Sequence, residues 1–310
     1  MNNFEIYADC TCDLNQEIRD KYDIKYVKGH ITLPDGKEVQ SKCDWEGIDK
    51  EAFYKDLRKN PNGYSTSPAS PLEFEEAFSE SLKEGKDIIA LSISTALSGT
   101  YNFMLQAKNE LEKKFPERKI YIVDSLRFTT GFGLICVKAS MLRSEGASID
   151  EVYNWVEANK YCFHQCGYLD DLSFVAAKGR ISKAKAFMGQ LVGIKPFGEF
   201  DKNGLTTVLG QTKGEKKAVK GFIQYIKATI VDPENQIIFI ATTNRMKQAI
   251  EFKKVIEEEI KPKEVIINEV YMQNAINVGP GLMGAYYYGN RITEDLAYER
   301  NLVQEIISKL

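Results

Sequence analysis

Histidine is scarce in this sequence of 310 residues, which contains only His30 and His164. A Ser-His-acid hydrolase needs a histidine beside its nucleophile, and neither of these two lies in a motif suited to that role. The G-x-S-x-G nucleophile elbow and the G-x-x-x-x-G-K-[ST] phosphate loop are absent, and no G-x-G-x-x-G motif follows a predicted strand. These absences argue against a hydrolase, a P-loop nucleotidase and a dinucleotide-dependent enzyme.

An excess of positive charge and a long apolar run are also missing. The chain carries 41 basic and 44 acidic residues and a net charge of −3, whereas binding to nucleic acid requires a basic face. There is no run of about 18 apolar residues that would span a membrane, and the first residues lack the basic and apolar regions of a signal peptide. We therefore predict a cytoplasmic protein that binds no nucleic acid and has no membrane span.

The six cysteines show no disulfide framework, which favours a reducing compartment. The stretch Cys162–Cys166, with His164 between its two cysteines, resembles a cluster of metal ligands. Zinc usually takes four ligands, however, and no second pair lies at a suitable spacing. The same reasoning applies to Cys10 and Cys12. We therefore predict packed thiols and no bound metal ion.

Predicted strands alternate with predicted helices in the first half of the chain, which indicates βαβ units and a mostly parallel sheet. The second half has α+β character. A chain of 310 residues fits two domains of about 150 residues each. We predict an α/β fold in which an N-terminal domain, residues 1–146, has a mostly parallel sheet with helices on both faces. A C-terminal α+β domain follows over residues 147–310.

Two clusters of hydroxyl side chains follow predicted strands. The stretch Leu91–Tyr101 runs from a buried strand through a series of serines and threonines into a helix, and Ser65–Pro71 is organised in the same way. Backbone N–H groups and the positive end of a helix dipole favour an anionic or polar group at such a position. Because ligands of parallel sheets bind beyond the carboxyl ends of strands, the two clusters predict one shared oxygen-binding site.

Helix capping is the structural alternative for the same hydroxyls. Ser70 is the predicted N-cap of a helix, since Pro71 follows it and Glu73 stands three residues later. Ser98 can cap the next helix in a similar way. The two roles are compatible on neighbouring hydroxyls.

Two further turns have residue types that can contact an anion. Arg180 lies in the basic turn Lys178–Ser182, where a guanidinium can bind a carboxylate or phosphate in a planar fork or simply face solvent. Gly279, Gly281 and Gly284 can approach a phosphate or form an ordinary tight turn. The residues alone leave both alternatives open for each turn.

Seven short motifs, in register over nearly the whole chain, resemble the DegV family, the fatty-acid-binding proteins that serve bacterial fatty acid kinase. One of them, Leu97-Ser-Gly-Thr-Tyr101, matches the family signature L-S-G-T-Y. The others are Ala8–Leu14 (T-D-S-T-x-D-L in the family), Thr66–Ser70 (T-S-Q-P-S), Val123–Ser125 (V-D-S), Lys178–Ser182 (K-G-G-R-I), Ile194–Pro196 (I-K-P) and Asn277–Gly281 (H-x-G-P-G).

The resemblance implies two domains with a lipid tunnel between them and a role as a carrier of a long-chain fatty acid. Thr66 and Ser98 correspond to the family's carboxylate contacts, and Arg180, Asn277 and Gly281 correspond to positions in the vicinity of the head group. A separate kinase subunit supplies ATP, so the carrier has no catalytic residues and no cofactor of its own. Transient contact with membrane lipid is also expected. Tunnel-lining candidates, each of which can equally be plain core, are Phe103, Met104, Phe128, Phe132, Phe187, Met188 and Leu191.

Three positions depart from the family pattern. Asn277 stands where a histidine is usual, Gln211 where an arginine often stands, and Cys10 replaces a serine. Asn277 can still form hydrogen bonds but cannot carry charge. These departures leave two alternatives open, a binding protein for another lipid and an acyl- or phosphoryl-transfer enzyme with Ser98 as its nucleophile.

Overall fold

The computed structural model describes residues 3–181 and 193–310. Its internal packing divides the chain into two compact units. Unit 1 comprises Met1–Glu46, Asn62–Lys160 and Tyr271–Gln273, and unit 2 comprises Gly47–Pro61, Tyr161–Val270 and Asn274–Leu310. The predicted α/β two-domain fold is confirmed. The boundary between residues 146 and 147 stays a prediction about which segments fold independently.

Strands and helices alternate over most of the chain, except at β2–β4, at α5–α6 and at β9–β10. The strands are β1 (Phe4–Asp9), β2 (Ile24–Val27), β3 (His30–Thr32), β4 (Glu38–Gln40), β5 (Ser65–Ser67), β6 (Asp87–Ser92), β7 (Ile120–Asp124), β8 (Phe163–Leu169), β9 (Ile194–Phe200), β10 (Thr206–Lys213), β11 (Ile237–Thr242), β12 (Glu264–Glu269) and β13 (Leu282–Tyr288). The helices are α1 (Gln16–Tyr22), α2 (Lys50–Lys59), α3 (Pro71–Lys83), α4 (Thr100–Lys114), α5 (Thr129–Ser144), α6 (Ile149–Asn159), α7 (Ser173–Ala177), α8 (Glu215–Thr229), α9 (Met246–Glu259), α10 (Met272–Val278) and α11 (Ala297–Ser308).

Unit 1 contains a four-stranded parallel sheet in the order β2-β1-β6-β7. The chain adds β2 on one side of β1 and then β6 and β7 on the other, so the order reverses between β1 and β6. In open parallel sheets, ligands bind beyond the carboxyl ends of the strands at such a switch point. A ligand site is therefore expected at the loops that follow β1 and β6.

Helices cover both faces of this sheet, as predicted. Helices α3 and α4 pack on one face through a cluster that includes Phe74, Phe78, Met104 and Leu111. Helices α1, α5 and α6 contact the strands from the other side. Because both faces are buried, β6 reads as a continuous apolar run over residues 88–91 instead of an alternating pattern.

The predicted start of α3 is confirmed. Ser70 is its N-cap, Pro71 is the first helical residue, and a complete capping box joins Ser70 and Glu73. Helix α6 begins in the same way at Ser148, where Glu151 completes the box. Each box satisfies backbone N–H groups that have no partner inside a helix.

A separate three-stranded sheet in unit 1 has the order β4-β3-β5 and is antiparallel throughout. Thr66 stands at the centre of β5, opposite Ile31 of β3. Its neighbours Ser65 and Ser67 are exposed, whereas Thr66 is half-buried. This alternation places Thr66 on the more protected face of the strand.

Unit 2 contains a six-stranded mixed sheet in the order β10-β9-β8-β13-β11-β12. All neighbouring pairs are antiparallel except β11 and β12. Helices α8, α9 and α11 pack against the sheet through a buried cluster that includes Phe197, Phe222, Phe252 and Val303. None of the helices in the described ranges has the length and apolar character needed to cross a bilayer.

A buried ion pair lies in the core of unit 2. His164 Nδ1 is 2.9 Å from Glu199 Oε2, and His164 Nε2 is 2.9 Å from the Asn290 carbonyl oxygen. Both ring nitrogens face acceptors, so both must donate, and the imidazole is then a cation. Burial acts to raise the pKa of Glu199, but the hydrogen bond and charge of His164, with two backbone N–H donors, hold that pKa below its ordinary value.

Candidate functional site

The loops after β1 and β6 contact each other at the switch point of the parallel sheet. Asp9, the last residue of β1, accepts a hydrogen bond at Oδ2 from the backbone N–H of Ile93 at 2.9 Å. Its Oδ1 accepts the backbone N–H of Thr11 at 2.8 Å and also the Thr11 hydroxyl. The Asp9 carboxylate therefore links the first residues of the loop after β1 to the first residue of the loop after β6.

Asp9 is buried, with 4% of its surface exposed. Burial raises the pKa of its carboxyl group, and the hydrogen bonds from Thr11 and Ile93 only partly offset this effect. The donors to Asp9 are uncharged, so they stabilise the carboxylate less than a facing cation does.

The loop between β6 and α4 is also tied to the end of β7. Asp124 accepts hydrogen bonds from the Thr95 hydroxyl at 2.6 Å and from the Thr95 N–H at 3.3 Å. The backbone N–H of Ser94 donates to the Arg127 carbonyl oxygen at 2.9 Å. The loop that carries Ser98 is therefore held from β1 on one side and from β7 on the other.

Three non-glycine residues near this edge of the sheet have left-handed backbone conformations. Asp13, Leu126 and Thr129 all have positive φ angles, of 50°, 53° and 45°. A β-branched residue such as Thr129 strongly disfavours this conformation. Such strain persists only where the surroundings enforce it, and it is found most often at binding and catalytic sites.

Ser98 does not cap α4 as predicted, because Gly99 occupies the N-cap position and no described side chain caps the helix. Instead, the Ser98 hydroxyl lies 2.8 Å from the Thr100 hydroxyl and accepts the Thr100 N–H at 3.4 Å. The helix begins one residue later than a Ser98 cap requires. The Thr100 N–H is thus engaged by Ser98, whereas no described side chain caps the N–H groups that follow it in the first turn of α4.

Ser67, which follows Thr66 in β5, lies close to Gly29, and Gly29 in turn contacts Cys10. A Cβ atom on Gly29 would lie 2.9 Å from the Ser67 carbonyl oxygen and 3.2 Å from Cys10 Sγ, so only glycine permits this close approach. Cys10 Sγ also accepts the Gly29 N–H at 3.2 Å. The first hydroxyl loop therefore contacts Asp9 directly through Ile93, whereas Gly29 lies between the second loop and Cys10.

Arg180 lies in unit 2, in the turn that follows α7. The turn is closed by a hydrogen bond from the Arg180 N–H to the Val175 carbonyl oxygen at 2.8 Å, and Gly179 has a φ of 70°. The guanidinium is half-buried and donates to the Lys178 carbonyl oxygen. The predicted basic turn is thus present, although Ser182 of the same motif lies outside the described residues.

Asn277 and Gly281 lie on either side of the turn that ends α10. Asn277 is half-buried. A Cβ atom on Gly279 would lie 2.3 Å from the Phe174 ring, and one on Gly281 would lie 2.7 Å from Asp170 Cβ. Both glycines have positive φ angles. Packing inside unit 2 therefore accounts for the glycines, which favours the tight-turn alternative over a phosphate cradle.

The family assignment rests on matches to most of the chain. A family described as "Uncharacterised protein, DegV family" matches residues 3–290. A DegV domain-containing protein of Clostridium perfringens is 34% identical over 290 residues, which cover 94% of this chain and 99% of the relative.

This chain belongs to the DegV family.

Solved structures have the same fold as this DegV protein. A DegV family protein from Thermus thermophilus, described as binding fatty acid, superposes with a TM-score of 0.83 at 26% identity and covers 93% of this chain and 99% of its own. A stearic acid-binding protein from Eubacterium ventriosum superposes with a TM-score of 0.79 at 20% identity, covering 93% and 99%. At the lower identity the likeness shows the fold alone.

A charged cluster in unit 2 of this DegV protein was not predicted. Asp170 pairs with both Lys195 and Arg245, and Arg245 Nη2 lies 2.7 Å from Glu215 Oε2. Lys195 and Arg245 also lie over the ring of Tyr168, at 4.8 and 5.6 Å from its centroid. Lys195 belongs to the I-K-P motif, which is the only sequence signal for this cluster. Its contact with Asp170 ties the motif to the glycine turn.

The cysteines of unit 1 are buried thiols in this DegV protein. Burial raises the pKa of Cys10, Cys43 and Cys136. A thiol with a raised pKa is a poor nucleophile, because the thiolate is the reactive form. Within residues 3–181 and 193–310, no group of three or more histidine, cysteine or acidic side chains has the geometry of a metal site.

Proposed function

We propose that this protein binds a long-chain fatty acid in a buried tunnel and presents its carboxylate to a separate, ATP-binding kinase subunit. Thr66 and Ser98 hold the carboxylate in this proposal. Membership of the DegV family and the descriptions of solved relatives as fatty-acid-binding proteins support it. The observation that carries it is the approach of both hydroxyl loops to the Asp9–Cys10 segment of unit 1, the first directly through Ile93 and the second across Gly29.

The head group and the acyl chain contribute differently to affinity. A carboxylate away from water is costly unless it is hydrogen-bonded. Two hydroxyl donors contribute about 1.5–3 kcal/mol each as charge-assisted bonds. The acyl chain contributes about 0.8 kcal/mol per buried methylene, or roughly 11 kcal/mol gross for about fourteen methylenes. The hydroxyls therefore position the carboxylate, and the chain sets most of the affinity.

Arg180, Asn277 and Gly281 belong to the vicinity of the head group in this proposal. Arg180 supplies the positive charge and Asn277 a neutral hydrogen-bonding amide. Gly281 keeps the turn compact, since its Cβ position is already filled by Asp170. A cytoplasmic location and transient contact with membrane lipid, from which the acid is taken up, complete the proposal.

The first test is to identify the small molecule that copurifies with the protein. Mass spectrometry of an organic extract is expected to find a long-chain fatty acid. If no acid is extracted, an added fatty acid such as palmitate should bind the purified protein. A protein that carries no acid and binds none on addition contradicts the proposal.

The second test addresses the hydroxyls. Ser98→Ala combined with Thr66→Ala is expected to weaken fatty-acid affinity by about tenfold or more, because two charge-assisted hydrogen bonds are lost. Ser65→Ala is the matched control, since Ser65 is exposed on the same strand as Thr66. An unchanged affinity in the double variant shows that the carboxylate binds elsewhere.

A third test addresses the kinase partner. The isolated protein with ATP is expected to form no acyl phosphate, and addition of an ATP-binding fatty acid kinase subunit from the same organism is expected to produce it. Turnover of ATP or of acyl esters by the isolated chain, lost in Ser98→Ala, would instead support the transfer enzyme. The contacts of Ser98 disfavour that enzyme. Its hydroxyl bonds to Thr100, while His30 faces Glu73 and His164 faces Glu199.

Binding of a different lipid is the second candidate function, and Asn277 and Gln211 favour it. Asn277 is half-buried and uncharged, and Gln211 is exposed on β10 at the edge of its sheet. The site therefore has less positive charge than the family pattern supplies. Competition between fatty acids and neutral amphiphiles for the purified protein separates the two candidates, and Asn277→His should shift the preference toward the acid.

A further inference from the structure

His30 joins three elements of unit 1. It belongs to β3, where it lies opposite Gln40 of β4 and Ser67 of β5. Its ring reaches two carboxylates, with Nδ1 3.2 Å from Glu38 Oε1 on β4 and Nε2 3.0 Å from Oε1 and Oε2 of Glu73 on α3. One side chain therefore connects the small antiparallel sheet to the start of a helix.

Both ring nitrogens of His30 face carboxylates. A neutral imidazole has one donor and one acceptor nitrogen, so only the imidazolium can donate to Glu38 and Glu73 together. The residues opposite His30 on β4 and β5, Gln40 and Ser67, are uncharged. Histidine is the side chain whose charge changes between about pH 5 and 8, so one of the two hydrogen bonds depends on the pH in that range.

The contact with His30 is not needed to cap α3. In the capping box, Glu73 Oε2 accepts the Ser70 N–H and the Ser70 hydroxyl, both at 2.8 Å. Burial acts to raise the pKa of Glu73, but the Ser70 donors and the facing His30 hold that pKa below its ordinary value. The box of Ser148 and Glu151 at the start of α6 is complete without a histidine. The bond from His30 is therefore an addition to the box, and it ties the box to β3.

The segment between these two contacts of β3 carries Thr66. Strand β5 has only three residues, and Thr66, at its centre, pairs with Ile31 next to His30. Residues 68–70 connect β5 to α3. Pairing with β3 holds the segment at one end, and the bond from His30 to Glu73 holds it at the other. Both ends of the segment are thus fixed to the same strand.

We propose that His30 is a positioning residue for the carboxylate of the bound fatty acid and makes fatty-acid affinity dependent on pH. The inference rests on the proposed function, in which Thr66 contacts the carboxylate. The imidazolium holds the segment between β5 and α3, so that the Thr66 hydroxyl is in place to donate. Loss of the proton removes the charge of the ring and one of its hydrogen bonds, which weakens the link to α3. Affinity then falls as the pH rises, by about threefold, as expected for the loss of one partly exposed ion pair.

Palmitate affinity of the full-length protein, measured from about pH 6 to about pH 8.5, tests the proposal in the wild type and two variants. His30→Arg keeps a planar group with several N–H donors and a permanent charge, so it should retain the low-pH affinity of the wild type across the range. His30→Gln is uncharged and should have the high-pH affinity of the wild type throughout. Titration of the palmitate carboxyl group affects all three proteins equally and is removed by the comparison.

A variant on β4 keeps the proposal falsifiable where a change of His30 itself disturbs folding. The Glu38 side chain is 63% exposed, so Glu38→Gln leaves the core intact. The variant removes one of the two facing charges, and the fall in palmitate affinity should move to lower pH. Glu46→Gln makes the same charge change at an exposed ion pair with Lys42 and should follow the wild-type profile.

Nuclear magnetic resonance gives a second measurement, since the chain has only two histidines. If protonation of His30 strengthens palmitate binding, palmitate must strengthen proton binding to His30 by the same factor. The titration of the His30 ring protons should therefore move to higher pH when palmitate is added, whereas a histidine with a merely structural role would titrate unchanged.

The outcomes separate the role of His30 from the proposed function. Wild-type protein that binds no palmitate at any pH contradicts the fatty-acid function itself. Palmitate binding with the same pH profile in the wild type, His30→Arg and His30→Gln overturns the role of His30 and leaves that function standing.

Discussion

Asp9 in unit 1 and Glu199 in unit 2 are both buried carboxylates, and their pKa values shift in opposite directions. Asp9 accepts hydrogen bonds from Thr11 and Ile93, and its pKa is raised. Glu199 also accepts two backbone N–H groups, but it faces His164, and its pKa is lowered. A facing cation therefore decides the direction, because neutral donors alone do not offset the loss of water.

The opposite pKa shifts distinguish a carboxylate of the core of unit 2, Glu199, from a carboxylate of the candidate site in unit 1, Asp9. The pair of His164 and Glu199 lies inside the packed sheet of unit 2, with both partners under 2% exposed. Asp9 lies at the switch point of unit 1, where it fixes a loop with uncharged donors. The four predictions below test this comparison in order of decreasing effect.

The largest effect is expected from His164→Ala. The change leaves Glu199 charged and buried without its cation, which costs about 3–5 kcal/mol in the free energy of unfolding. Urea denaturation measures the loss. His30→Ala is the control, because His30 forms partly exposed ion pairs that contribute about 0–1 kcal/mol. Equal losses of unfolding free energy in the two variants would show that the buried pair contributes no more to stability than the partly exposed pairs of His30.

A smaller loss is expected from Asp9→Asn. The amide keeps one acceptor oxygen, but its NH₂ group faces either the Ile93 N–H or the Thr11 N–H and cannot accept from it. The unpaired N–H costs about 1–3 kcal/mol in unfolding free energy. Denaturation compared with Asp20→Asn, an exposed change on α1, measures this cost. A loss no greater than that of the control would mean that Asp9 does not hold the loop.

The pH dependence should have opposite signs in the two units. Glu199 has a lowered folded pKa, so its stabilisation is present above the unfolded value near 4.5 and is lost as the pH falls. Asp9 has a raised folded pKa, so its contribution is present below the unfolded value near 3.8 and is lost as the pH rises.

Unfolding free energies measured across the acid range test these signs. As the pH falls, the stability advantage of the wild type should shrink relative to Glu199→Gln and grow relative to Asp9→Asn. Parallel curves for the two variants would contradict the comparison.

The smallest effect separates two serines of unit 1. Ser70→Ala removes a capping box and should cost about 1 kcal/mol of unfolding free energy, whereas Ser98→Ala should cost less, because Ser98 caps no helix. Thermal unfolding measures both. A larger loss for Ser98→Ala would mean that the Ser98 hydroxyl contributes mainly to the stability of the fold.

Features that depend on residues close in sequence were predictable, whereas contacts between residues far apart in sequence were not. The capping boxes at Ser70 and Ser148 depend on residues three positions apart, so the pattern contains all the information needed. A Ser98 cap would start α4 at Gly99, one residue too early, because either Ser98 or Gly99 can be the N-cap in this sequence.

Contacts between distant residues depend on strand register, which no local pattern encodes. The bond from Ile93 to Asp9 spans 84 positions, and that from His164 to Glu199 spans 35. The stretch Cys162–Cys166 was interpreted by spacing alone, which gives no sign that its histidine faces a glutamate on the next strand. The roles of Thr66 and Ser98 were inferred from family motifs and stay predictions. Of the tunnel candidates, Phe187, Met188 and Leu191 lie outside the described residues.

The crowded glycines of the turn after α10 restrict which residues can occupy positions 279 and 281. Phe174 and Asp170 occupy the space that any side chain at Gly279 or Gly281 would need. The packing of unit 2 by itself therefore requires glycine at both positions, independently of any ligand.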